Sequence, residues 1–109
     1  MEKETISIWI EAECWAPGEW DINNDNTDVV VTFKDGSKWA ASFFTYNNIE
    51  KLRRKNEETG EYLSGKYFWS SDMILVDKVN RSRIEEVVEH LIEENKFEQI
   101  FIKCEAVED

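Results

Sequence analysis

Carboxylates are the most abundant residues here with the means to do acid–base chemistry, so their proximity alone proves little. The sole histidine, His90, falls about 120° from the apolar stripe of a helical pattern, so it is expected in solvent, without the partner and pocket a general base needs. A single imidazole removes Ser–His, Cys–His and multi-histidine metal sites together. Cys14 and Cys104 match no metal or redox spacing. Both alternate in phase with apolar neighbours and read as buried, reduced thiols; a disulfide would need the first and last strands to be neighbours. Glu11 and Glu13 share a strand face in the manner of a glycosidase couple, but 109 residues leave little room for the cleft such enzymes use. Asp21-Ile22-Asn23-Asn24-Asp25 begins like a calcium loop. The match then fails, because Asn26 stands where glycine is required and Thr32 where a bidentate glutamate belongs. Gly18, Gly36, Gly60 and Gly65 are isolated turn glycines, not a phosphate loop. No catalytic residue, metal or cofactor is assigned, and the chain is expected not to be an enzyme.

Two stretches suit recognition instead. In the first, Trp15 and Trp20 are interleaved with Glu13, Glu19, Asp21 and Asp25. Aromatic anchors ringed by acids fit a basic protein surface, the rings supplying buried area and the charges steering. Folded back as lids on the core, the same two rings would serve stability alone. The second stretch is Tyr67-Phe68-Trp69-Ser70-Ser71-Asp72. Three consecutive aromatics in a strand cannot share one face, and Asp72 in an apolar run needs water or a donor. With Tyr46, the residues Tyr67, Trp69 and Asp72 make a candidate pocket.

The elements that must position these residues follow from periodicity. Thr5 to Trp15 alternates as one long strand, with Ile6, Ile8, Ile10, Ala12 and Cys14 inward. Ala16 to Thr27 is a loop. Asp28–Lys34 and Ser37–Thr45 form a hairpin. A three-residue turn with Gly36 left-handed pairs Phe33 with Ser37 and Val31 with Trp39, which gathers the apolar residues on one face. Asn47 caps a helix running to Thr59, with Gly60 just beyond its end. Tyr67 to Val76 is an interrupted strand. Ser82-Arg83-Ile84-Glu85 has the form of a capping box before the best amphipathic stripe: Ile84, Val87, Val88, Leu91 and Ile92. Phe97 to Val107 closes as a strand with Ile100, Ile102 and Cys104 inward. The order β-β-β-α-β-α-β predicts an α+β fold in residues 1–109: a single twisted, mainly antiparallel sheet with two helices on one face. The outer face would carry Trp9, Val30, Ala40 and Phe44.

The net charge of −11 is concentrated at the two ends, with Val29 to Arg83 mildly basic. Nucleic acid and anionic membrane would be repelled and a basic protein attracted. No apolar run approaches the ~20 residues of a membrane span, and the charged start is no signal peptide, so a cytoplasmic location is expected.

Phe33-Lys34-Asp35-Gly36-Ser37-Lys38-Trp39, Phe43-Phe44-Thr45-Tyr46-Asn47, Thr59-Gly60-Glu61 and Tyr67-Phe68-Trp69 before Asp72-Met73-Ile74 resemble stretches of small uncharacterised bacterial proteins. These in turn are similar to the immunity proteins of polymorphic and contact-dependent toxin systems. The resemblance spans about the middle half of the chain and implies a cytoplasmic partner of a toxin's catalytic domain. The leading expectation is a non-enzymatic inhibitor blocking a basic, nuclease-like active site. The alternatives are a structural or regulatory homodimer using a sheet edge or the outer face, and a small-molecule binder with an aromatic pocket.

Overall fold

The computed structural model describes residues 5–104. Side chains alternating between a buried and an outer face build three strands, β1 (Thr5–Ile10), β2 (Asn26–Phe33) and β3 (Lys38–Thr45), in antiparallel order. The hairpin register is the expected one. Phe33 N–H donates to the Ser37 carbonyl at 2.9 Å, Val31 lies opposite Trp39, and Gly36 has φ +89°. Asp35 Oδ1 closes the turn by accepting from the Ser37 amide and hydroxyl. The far edge of β3 is shared end to end. Its first half pairs antiparallel with β5 (Ile102–Lys103), its second half parallel with β4 (Met73–Val76). The fold is therefore α+β, with one open, mainly antiparallel five-stranded sheet.

One sheet face holds the core. Ile10, Val29, Val31, Phe33, Trp39, Ala41 and Phe43 meet Val79, Ile84, Val88, Phe97 and Phe101 from α3 (Arg81–Glu93), α4 (Phe97–Ile100) and their flanks. Phe97 stacks on Phe101 at 4.2 Å and meets Phe33 edge-on at 5.1 Å. None of the side chains of α1 (Tyr46–Thr59) belongs to this cluster. Asn48 of α1 instead bonds Asn26, which lies in the same register row as Phe44 on the opposite sheet face.

Several expected boundaries move. β1 ends at Ile10, not Trp15, and Glu11–Cys14 winds into a 3₁₀ turn. The Ala12 amide donates to the buried Thr27 hydroxyl, so Ala12 stays inside while Cys14 swings out to solvent. The cap of α1 is Thr45 rather than Asn47, because its hydroxyl at the end of β3 accepts from the Asn48 amide. Asn80 likewise displaces Ser82 as the cap of α3 by accepting from the Arg83 amide. Tyr67 to Asp72 is irregular chain, and only Met73–Val76 enters the sheet. The expected final strand begins as a helical turn, Phe97–Ile100, and only Ile102–Lys103 of its described residues pairs as a strand. Phe97 and Phe101 sit four residues apart on one turn, both buried, whereas Ile102 and Cys104 are exposed. Neither cysteine is thus a core residue. The Ile6 side chain, and the last strand's expected continuation to Val107, lie outside the described residues.

After Gly60 the chain makes a single left-handed turn, α2 (Glu61–Gly65), with Tyr62, Leu63 and Ser64 at φ 52° to 58°. It presses Gly65 against the α1 backbone, where an added Cβ would stand 2.5 Å from the Arg53 carbonyl oxygen.

Candidate functional site

The loop after the 3₁₀ turn is stitched to itself and to the domain. Glu19 accepts from the Ala16 amide at 2.9 Å, Asp21 from Asn23, and Asp25 from both Asp21 and Asn26. The Asp25 amide donates to the Thr45 hydroxyl, and the Val79 amide donates to the Ile22 carbonyl at 2.8 Å. Three of the acids expected to surround an anchor thus hold backbone N–H groups, in the manner of Asx turns. Trp15 and Trp20 are half-buried and pack against the core. Trp20 Nε1 and Asn24 Oδ1 are buried without a protein partner, a donor and an acceptor of the kind an internal water satisfies.

Glu13 belongs to a different device. Its two oxygens take Nε and Nη2 of Arg81 at 2.8 and 2.7 Å. Arg81 Nη1 reaches Glu85 on the next helical turn, and Nη2 also donates to the Ile8 carbonyl at 2.8 Å. Fork-to-fork pairing of this kind is the strong geometry for a guanidinium and a carboxylate. Its hydrogen bonds hold the Glu13 carboxyl below its usual range and raise the Arg81 guanidinium further. Periodicity gives no sign of this residue's role, because Arg81 and Glu13 are 68 positions apart. A groove of about 410 Å³ runs between β1 and α3, lined by Ser7, Ile8, Arg81, Glu85, Val88 and Glu89 among others.

The sheet face turned away from the core carries a band of apolar side chains. Trp9, Val30, Ala40 and Ile102 lie in one register row across four strands. Trp9 is 47% and Ile102 53% exposed. The next row holds Asp28, Ser42 and Met73, with the Ser42 hydroxyl donating to Asp28 at 2.7 Å. Beyond it Phe44 is buried, edge-on to Phe68 at 5.7 Å, and Phe68 leans on Tyr62. The outer face is therefore covered at the Phe44 end and open at the Trp9 end.

In the second candidate stretch, Phe68 is the ring that reaches the sheet. Tyr67 packs edge-on against Tyr62 at 5.5 Å, and Tyr46, Tyr67 and Trp69 each stand more than half exposed. Asp72 turns the chain at φ +55° and offers its carbonyl to the Ser42 amide. His90 lies on the exposed side of α3, as its helical phase predicts.

Among the described residues no group of three or more His, Cys, Asp or Glu could hold a metal ion, and no helix is long and apolar enough to cross a membrane. No protein-family model, curated protein or solved structure matches the chain.

Proposed function

We propose that the chain is a non-enzymatic binding domain for a basic protein, an immunity-type inhibitor that covers the catalytic cleft of a nuclease-like toxin. The observation that carries this reading is the open row Trp9–Val30–Ala40–Ile102 on a molecule of net charge −11. Apolar area at the centre of an interface supplies affinity, and surrounding charge of opposite sign steers encounter and selects the partner. The anchor is placed at Trp9 rather than Trp20, because Trp20 already packs on the core while Trp9 stands on a face that nothing among the described residues covers at that end. Glu19, Asp21 and Asp25 keep a part in steering through their charge, although each also holds the loop.

The test is reconstitution with a basic, nuclease-like protein, sought first among the products of neighbouring genes; finding none encoded there counts against the proposal. Added chain should abolish that protein's catalytic activity, and association should slow markedly as salt is added. Trp9→Ala should weaken the complex by about 2 kcal/mol or more, chiefly through faster dissociation, at unchanged melting temperature. An active toxin domain in the presence of excess chain, or association indifferent to salt, overturns the proposal.

A further inference from the structure

Among the described residues β1 is the open edge of the sheet, paired only with β2. The Phe33 amide points at β3, where it donates to Ser37. Alternation along β2 then turns Thr32 and Val30 toward β1, facing Ser7 and Trp9, which leaves the N–H and C=O of Ile8 on the free edge. The sequence of this edge, Thr-Ile-Ser-Ile-Trp-Ile, is uncharged, free of glycine and proline, and rich in strand formers. Such an edge is a template for pairing with another chain unless something closes it.

Two features close it. The register slips between Thr5 and Ser7, which confines regular pairing geometry to the four residues from Ser7 to Ile10. Within that stretch the outward Ile8 carbonyl is already occupied by Arg81 Nη2 at 2.8 Å. Three further bonds hold the guanidinium there: Glu13 takes it with both oxygens and Glu85 accepts from Nη1. Arg81 takes the place of a neighbouring strand.

We propose that the β1 edge is a latent strand-pairing surface for a second copy of this chain, held shut by the Arg81–Glu13–Glu85 latch. A second copy is the fitting occupant because antiparallel pairing about Ile8 is self-complementary. Each Ile8 would give its N–H and take its partner's about a twofold axis, and neither edge strand brings a charge into the seam. Glu85 and Glu89 line the groove behind the edge and would face their own copies across such a pair. The released pairing should therefore strengthen with salt.

Arg81→Ala tests this by sedimentation equilibrium at low and raised NaCl, with circular dichroism to confirm the fold and amide hydrogen exchange to locate the contact. The unaltered chain should sediment as a monomer with a fast-exchanging Ile8 amide. The variant should shift from monomer toward dimer as concentration and salt rise, with the Ile8 amide becoming protected. Ile8→Pro in the Arg81→Ala background removes the outward N–H without touching the β1–β2 ladder, and should restore the monomer. Glu13→Gln, which loosens the grip without removing the guanidinium, should move in the same direction more weakly, and it decides the matter if Arg81→Ala does not fold. A folded Arg81→Ala that stays monomeric at every salt concentration overturns the proposal. So does association that leaves the Ile8 amide exchanging freely, since that places the contact elsewhere, such as the Trp9 face.

Discussion

Bidentate pairing with Arg81 holds the Glu13 carboxyl below its usual value of 4.5, the hydrogen bonds outweighing the opposing effect of partial burial. Glu50 is drawn down further, to about 2, by the side-chain bonds from Arg53. Asp77 is lowered by Arg83. The sign follows from linkage: a carboxyl depressed in the folded state contributes stability that is fully present above its unfolded value and is lost as pH falls through the folded one. The acid limb of the stability profile should therefore begin near pH 4.5 and extend to about 2, the window between the usual carboxyl value and that of Glu50. Glu13→Gln should flatten the upper part of that limb in urea titrations read at successive pH values. An unchanged slope would mean that Glu13 is equally free in the unfolded and folded chains. Trp20 gives a second prediction at this scale. As a half-buried lid on the core it should cost about 2 kcal/mol when cut to alanine. Trp20→Phe should cost less, because the indole N–H it discards has no protein partner. A melting temperature indifferent to Trp20→Ala would return this ring to the list of binding anchors.

At the scale of elements, the turns carry the sharpest expectations. Gly36 and Gly65 both have positive φ, but a Cβ on Gly36 meets nothing within 4 Å, whereas on Gly65 it meets the Arg53 carbonyl oxygen. Gly36→Ala should cost about 1 kcal/mol for backbone conformation alone. Gly65→Ala should cost about 2 kcal/mol or more, since α1 must shift as well. Equal costs would mean that α2 does not press on α1. The left-handed α2 burdens Leu63 without visible return, because that side chain is 69% exposed. Leu63→Gly should stabilise by about 1 kcal/mol, measured by chemical unfolding. The hairpin was legible from sequence because a one-residue slip would have exchanged every face, so the apolar pattern and the turn glycine had to agree. Both helix caps were missed by two residues for a reason sequence does not display. Thr45 and Asn80 win because the preceding chain arrives extended, with the side-chain oxygen aimed at the next turn. The last strand is not told from sequence because Ile100, Ile102 and Cys104 alternate as a strand does while Phe97, Ile100 and Phe101 fall at helical spacing, and the helical reading is the one that packs Phe97 on Phe33 and Phe101 on Phe43. Of the candidate site, the outward phase of Trp9 was readable from alternation. The Arg81 latch was not, since it depends on where α3 starts relative to β1.

For the whole molecule, charge is the dominant variable that packing does not set. Seven described ion pairs engage Arg53, Arg54, Arg81 and Arg83, all between side chains at least a third exposed on one side. Exposed pairs of this kind contribute about 0–1 kcal/mol each and fade with salt. Against them stands a net charge of −11, with Glu85, Glu86, Glu89 and Glu93 following one another along α3. Self-repulsion of that size opposes the compact state and is screened by the same salt. The two effects have opposite signs, and their relative size decides the outcome. The ion pairs are local and already surrounded by water, whereas the excess charge acts between all carboxylates and grows with the square of its value. Repulsion should therefore win, and the melting temperature should rise as NaCl is brought from near zero to physiological strength. Glu89→Lys, which removes two units of negative charge from a position with no ion pair among the described residues, should raise the low-salt melting temperature and shrink its salt dependence. A melting temperature that instead falls with added salt would mean that the Arg53, Arg81 and Arg83 networks outweigh the global repulsion.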